Sequence, residues 1–145
     1  MRIDDLKEEK MKISSKGRYA LRTMADIATH GGEFVPISEI SMRQDISQKY
    51  LESIIALLVK GGLLESMRGA SGGYKLKIPA DKCTVRQILE ITGDTPNFVT
   101  CANEGDCPKI DSCAAAGCWT TLTHMINDYL NSVTLNDLII KNYKK

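Results

Sequence analysis

Cys101, Cys107 and Cys113 stand at equal intervals in a C-x5-C-x5-C run, the pattern in this chain best suited to chemistry. The stretch around them, FVTCANEGDCPKIDSCAAAG, is poor in large apolar side chains and rich in Gly, Asp, Asn and Pro. Such a stretch cannot bury enough apolar surface to order itself. Three thiolates converging on one metal centre would order it, with metal–ligand energy standing in for a core. The readings open to these residues are an exchangeable metal cluster, a structural zinc site, or a bare thiol sensor that oxidises under stress. Five cysteines in all, an odd number, argue for metal binding or redox sensing over a disulfide framework. Cys83, alone before a helix start, reads as structural. His30 and His124 lie apart from any cysteine or carboxylate pattern, and no nucleophile–base motif is visible, so an enzyme is not expected.

The rest of the chain must position that run. Its 145 residues suffice for one ordinary domain, or for a small domain with an appended element. No stretch approaches the ~18 apolar residues of a membrane span, and no apolar run follows the charged N-terminus. A soluble, cytoplasmic protein without a membrane partner is expected. Charge is uneven: residues 12–78 hold ten Lys/Arg against six acids, a net +4, which leaves −3 for the remainder. A basic front half beside an acidic rear half suggests a polyanionic partner for the front only.

Residues 1–11 are charged and aperiodic, a loose extension. From Ser15 to Thr29, Leu21, Met24, Ala25 and Ala28 recur at helical spacing, and Gly31-Gly32 ends the helix. A short helix follows Pro36. Asp45-Ile46-Ser47 then turns into a third helix, with Ser47 as N-cap and Ile46 and Leu51 placed for a hydrophobic staple. Leu51, Ile54, Ile55 and Leu58 form its inward stripe, and Gly61-Gly62 stops it. Its outward residues, Gln48, Lys49, Glu52 and Ser53, can reach base edges or phosphates. A tight turn before the last of three helices is a helix-turn-helix pattern.

A hairpin follows. Leu63–Ser66 reads as a strand, Met67–Gly73 as a Gly-rich turn, and Tyr74–Ile78 as the return strand. Arg68 falls at the tip, with Lys75 and Lys77 on the solvent face. A basic hairpin beside a recognition helix is a wing suited to phosphate or minor-groove contact. The glycines join strand to strand, with no Lys-Ser/Thr after them, which argues against a nucleotide loop.

Thr84 and Gln87 make a capping box for a fourth helix, with Val85, Ile88, Leu89 and Ile91 apolar. After the cysteine segment a long helix runs from about Ala114 to Ser132. Its seam of Trp119, Leu122, Ile126, Tyr129, Leu130 and Val133 has a near-heptad rhythm. Behind so small a winged helix, burial against a second copy is the economical solution. Thr134 caps a short terminal helix, with Asp137 at N3. The chain thus reads as mainly α with a small β-hairpin wing: a winged helix-turn-helix plus a long C-terminal dimerisation helix. Residues 12–96 form the DNA-binding domain, 97–117 the cysteine loop, and 118–145 the dimerisation and terminal helices.

Several segments together resemble the Rrf-two superfamily of bacterial winged-helix regulators. They are Met11–Leu21 (MKISSKGRYAL), Ile46-Ser47 with Tyr50-Leu51-Glu52, the wing Arg68-Gly69-Ala70-Ser71-Gly72-Gly73-Tyr74, and Thr134-Leu135-Asn136-Asp137-Leu138. The match runs from about Met11 to Ile140, and the cysteine run is similar to the loop of the iron–sulfur branch. The resemblance implies a homodimeric transcriptional repressor or activator, bound to a partly palindromic double-stranded operator. An iron–sulfur cluster, 2Fe–2S or 4Fe–4S, would be held by Cys101, Cys107 and Cys113. Ser47, Lys49 and Glu52 fall on family recognition-helix positions and Arg68 on the wing position; Gln48 and Lys75 complete the expected DNA-binding set. The alternative is a zinc- or thiol-stabilised winged-helix module that docks a protein.

One departure from the family pattern stands out. In the iron–sulfur branch a histidine three residues after the third cysteine completes the site, and here that position is Ala116. The nitric-oxide-sensing branch takes an acidic ligand near its N-terminus, where this chain has Arg18. Cys118 is the replacement candidate, its alternative role being a small core residue, because on one regular helix it would point ~140° away from Cys113. Glu104, Asp106, Asp111, an exogenous thiol or water are the other candidates.

Overall fold

Ser14 opens the first helix by accepting the Gly17 N–H on its hydroxyl at 3.0 Å, an N-cap that satisfies one of the orphan donors of the first turn. In the computed structural model, which describes residues 13–94 and 108–141, this helix is α1 (Ser15–Ala28). It is followed by α2 (Ile37–Gln44) and α3 (Gln48–Lys60). An antiparallel pair comes next, β1 (Leu64–Met67) and β2 (Gly73–Leu76). The chain continues with α4 (Val85–Ile91), a 3-10 turn (Ile110–Ser112), α5 (Ala116–Ser132) and α6 (Leu135–Lys141). The fold is a winged helix-turn-helix with a long C-terminal helix, as the spacing predicts.

The main core lies where α1, α2, α3 and α4 meet. Met24, Ile27, Ile40, Leu51, Ile54, Leu58 and Ile88 are wholly buried there, with Ile46 joining them as the staple pattern requires. The Thr84–Gln87 capping box forms with both of its hydrogen bonds, and the Thr134 hydroxyl accepts the Asp137 N–H at 3.2 Å.

The hairpin pairs Leu64 with Leu76, Glu65 with Lys75, Ser66 with Tyr74 and Met67 with Gly73. The first strand lies one residue later than predicted, and the second begins one residue earlier and ends two residues earlier, so Arg68 is the first residue of the connecting loop and not its centre. A third segment, unforeseen, ties the hairpin down: Val35 and Tyr74 exchange backbone hydrogen bonds of 2.8 and 2.9 Å. Gly73 has to be glycine for this approach, since a Cβ there would lie 2.3 Å from the Val35 carbonyl oxygen.

The rear of the chain is tied to the winged helix. Leu135 of the terminal helix is fully buried in the winged-helix core, and the Leu135 N–H donates to the Cys83 carbonyl at 2.9 Å. Val133, expected on the dimer seam, is the C-cap of α5 and is buried with Val85 and Leu89. The cause is local: Val85 N–H donates to the Val133 carbonyl at 2.9 Å, pulling the end of α5 onto the start of α4. Leu130 packs against the same small cluster.

Candidate nucleic-acid interface and cysteine segment

The first turn of α3 is held by Ser47, whose hydroxyl accepts the Tyr50 N–H at 3.2 Å. This cap leaves Gln48, Lys49, Glu52 and Ser53 on the exposed side while Leu51, Ile54, Ile55 and Leu58 turn inward. The helix therefore presents amide, ammonium and carboxylate groups from one face, a set that can address phosphates and base edges. Arg68 is exposed in the hairpin loop, and Lys77 is exposed beyond β2. Neither they nor Lys49 enter an ion pair among the described residues.

Lys75 is placed differently from the free cation expected. Its Nζ lies 3.1 Å from Glu65 Oε1, across the strand pair, and 4.7 Å over the Phe34 ring. A half-exposed pair of this kind is weak, under about 1 kcal/mol, so the lysine is oriented by its neighbours and not immobilised.

A polar cluster that the sequence reading did not find lies behind the helix-turn-helix. Asp26, on the inner face of α1, has a side chain only 4% exposed. Arg43 donates to both its oxygens, Nε to Oδ2 at 3.0 Å and Nη2 to Oδ1 at 2.7 Å, and Gln44 Nε2 donates to Oδ2 at 2.8 Å. Burial alone would raise the Asp26 carboxyl, but the hydrogen bonds from Arg43 and Gln44, with the Arg43 charge, hold it below its ordinary value. Arg22 Nε donates to Gln44 Oε1 at 3.2 Å, and its Nη2 donates to the Gln44 carbonyl. The signal was available: an acid one turn from Arg22 and beside Met24 and Ile27 falls inside an apolar stripe, and a buried carboxylate requires a cation.

Cys101 and Cys107 lie outside the described residues. Cys113 is exposed in extended backbone (φ −83°, ψ 118°) just ahead of α5, and its carbonyl accepts the Ala116 N–H at 3.2 Å. The premise that Cys113 and Cys118 share one regular helix therefore fails. Cys118, in the first turn of α5, is exposed, which removes its alternative role as a core residue. Cys83 is fully buried and burial pushes its thiol up to about 11, fitting the structural role expected. Among the described residues no three His, Cys, Asp or Glu side chains are grouped to hold a metal ion. The donor chemistry of the run suits an iron–sulfur cluster, since thiolates are its usual ligands.

Residues on either side of the cysteine segment are tied to the winged helix. Upstream of it, Asp94 accepts the Ser14 hydroxyl at 2.8 Å and the Ser14 N–H at 3.3 Å, bracing the start of α1. Gly17 permits this, because a Cβ there would meet Asp94 Oδ2 at 2.0 Å. Downstream, Arg86 Nη1 on α4 donates to Asn127 Oδ1 on α5 at 2.6 Å.

A capped, outward-facing helix followed by an anchored hairpin with exposed cations defines a winged-helix DNA-binding protein. The chain belongs to the Rrf2 family, described as iron-dependent transcriptional regulators, which it matches over residues 13–141. It is 38% identical over 133 residues to the HTH-type transcriptional regulator IscR of Vibrio parahaemolyticus, covering 91% of this chain and 79% of that one. Among solved structures, CymR, the global cysteine regulator of B. subtilis, is 31% identical with a TM-score of 0.77, over 92% of this chain and 98% of that one. IscR of T. potens is 34% identical with a TM-score of 0.72, over 92% and 88%. The chain is accordingly a transcriptional regulator and not an enzyme. Among the described residues no helix is long and apolar enough to cross a membrane.

Proposed function

We propose that the chain is a homodimeric, cytoplasmic regulator whose operator affinity is set by an iron–sulfur cluster on Cys101, Cys107 and Cys113. The observation carrying this reading is the C-x5-C-x5-C run in a chain of a family described as iron-dependent. When bound, such a cluster would tie the run into one unit whose state depends on iron, sulfide and oxidants. The chain's own residues link that unit to DNA reading: Asp94 braces the N-terminus of α1, and Asn127 joins α5 to Arg86 on α4. Ser47, Gln48, Lys49 and Glu52 address the major groove, and Arg68 the flanking phosphates or minor groove. Cys118, exposed near Cys113 in sequence, is the fourth-ligand candidate.

The second copy is inferred from α5. Met125 and Tyr129 are 63% and 59% exposed, and Tyr129 borders an open apolar cavity of about 180 Å³ lined also by Leu21, Val85, Leu130, Val133 and Leu138. Apolar surface of this kind on a regulator that reads a partly palindromic site is met by a symmetric partner.

Anaerobic purification with an absorption spectrum and iron and sulfide analysis tests the cluster. Iron and sulfide in stoichiometric amount, lost in the Cys101→Ala variant, are expected. A colourless protein free of iron, or one holding zinc alone, would overturn the sensor reading. Cys118→Ala is expected to lower cluster content; full retention of the spectrum would exclude Cys118 as a ligand.

A further inference from the structure

Between Gln44, the last residue of α2, and Ser47, the cap of α3, stand only Asp45 and Ile46, and both are pinned. Asp45 takes a left-handed conformation (φ 53°, ψ 50°), the Ile46 N–H donates to the Ser41 carbonyl at 3.2 Å, and the Ser41 hydroxyl donates to the Ile46 carbonyl at 2.6 Å. With no slack in this turn, a shift of Gln44 is passed to the first turn of α3.

Gln44 is itself gripped from both sides. Its amide nitrogen donates to buried Asp26 and its amide oxygen accepts from Arg22. The Arg22 guanidinium lies 5.2 Å over the Tyr19 ring, and Tyr19 meets Tyr50 edge to face at 5.8 Å with an interplanar angle of 79°. Tyr50 is the neighbour of Lys49 and lies in the same first turn. A closed circuit therefore runs from α1 through the end of α2 and back across α1 to α3, around the turn that aims the exposed residues.

We propose that Gln44, gripped between Asp26 and Arg22 and linked through Tyr19 to Tyr50, is a positioning residue for base reading. The apolar stripe of α3 holds the helix against the core but is non-directional, so it tolerates small slides along or about the helix axis. Hydrogen bonds near 3 Å with fixed angles do not tolerate them. Base-edge contacts lose their geometry over similar displacements, whereas phosphate attraction depends weakly on them. Loosening the circuit therefore costs specificity and leaves general DNA affinity intact. This inference rests on the reading of α3 as the recognition helix.

The test uses the full-length protein and a duplex selected by the wild-type protein from a randomised pool, with a scrambled duplex as reference. Gln44→Met keeps side-chain volume and net charge but removes both side-chain hydrogen bonds. Affinity for the selected duplex is expected to fall roughly tenfold, with scrambled-duplex affinity and the salt slope unchanged. Tyr19→Phe, which keeps the ring for both neighbours, is expected to bind as wild type. Should Gln44→Met fail to fold, Gln44→Ala takes its place with the same readouts. A lower unfolding temperature with an unchanged selected-to-scrambled ratio would make Gln44 structural only and overturn the proposal. Lys49→Ala and Glu52→Ala separate the two levels of inference. If they weaken selected binding while the Gln44 variants do not, only the positioning role fails. If they too leave it unchanged, the recognition-helix reading falls and the positioning role with it.

Discussion

α3 and α5 are both amphipathic helices, of 13 and 17 residues, and each carries a clear apolar stripe. On α3 the stripe is consumed within the chain: Leu51, Ile54, Ile55 and Leu58 are all at most 1% exposed. On α5 only Thr123 is buried along the helix, Leu122 and Ile126 are half-buried, and Met125 and Tyr129 are exposed. The first helix is positioned by its own domain, so its polar face is free to meet DNA. The second is held through its C-terminal half, where Asn127, Leu130 and Val133 meet α4 and its surroundings, and its remaining apolar surface is the face proposed to meet a second chain. An amphipathic stripe says that a helix will bury a face; which molecule supplies the other face depends on how much core the domain has left.

The same substitution on the two helices probes this contrast most strongly. Ile54→Ala is expected to lower unfolding free energy by about 2–5 kcal/mol, because it opens a cavity in a fully packed core. Ile126→Ala, at a half-buried position, is expected to cost under about 1 kcal/mol at protein concentrations too low for association. Urea unfolding of both variants reads the difference. Equal losses would mean that α5 is integrated in the core as fully as α3.

How much of this was legible depended on which force did the positioning. Apolar periodicity revealed α1 to α4, because spacing alone decides which side of a helix turns inward. Local capping chemistry was equally readable: Ser47, Thr84 and Thr134 bond to backbone or side chains within three residues, so proximity in sequence is proximity in space. The Asp26–Arg43 pair joins positions 17 apart, the Ser14–Asp94 brace positions 80 apart, and the Val35–Tyr74 bridge joins separate elements. Each needs the folded geometry before its partner can be named. Counting cations in the front half suggested a polyanion partner but could not show that Arg43 and Lys75 are held in ion pairs while Lys49 and Arg68 stand exposed. At the candidate cluster site, spacing and resemblance offer three candidate ligand positions and no fourth, because a further ligand need not be near in sequence.

A polar rather than apolar determinant of the front bundle gives the next largest effect. Asp26→Asn keeps the shape of the side chain and removes the charge that Arg43 meets, with an expected cost of about 1–3 kcal/mol at neutral pH. The sign of its pH dependence follows from the lowered carboxyl value. A folded-state value below the unfolded one contributes stability that is complete above the ordinary aspartate value of about 4 and fades as pH falls through the lowered value. The gap between wild type and variant should therefore be constant from pH 7 to 5 and shrink in stronger acid. A gap that persists undiminished at the lowest pH where both remain folded would exclude the charge as its source.

The tie between the two regions is expected to be weaker. Arg86 joins α4 to α5 through Asn127 and also meets Glu90 at 3.2 Å. Arg86→Met should cost about 0.5–1.5 kcal/mol, the net worth of one partly buried hydrogen bond, and should raise amide exchange in α5 more than in α3. Uniform exchange changes across both helices would show that α5 has no separate mode of opening.

Met125→Glu carries the smallest expected effect on the isolated chain and the sharpest on the assembly. The residue is 63% exposed and does not line the apolar cavity, so its replacement should change the unfolding free energy of a lone chain by no more than about 0.5 kcal/mol. At a two-fold interface the same change places a carboxylate in an apolar contact, near its own symmetry mate, where desolvation and like-charge repulsion act together. Sedimentation should then report one chain where the wild type reports two, and affinity for a palindromic operator should drop while affinity for a half-site stays level. A variant that sediments as the wild type does would place the interface on another face. The exposed stripe of α5 would then need a different occupant, and the comparison with α3 would no longer point to a second copy of this chain.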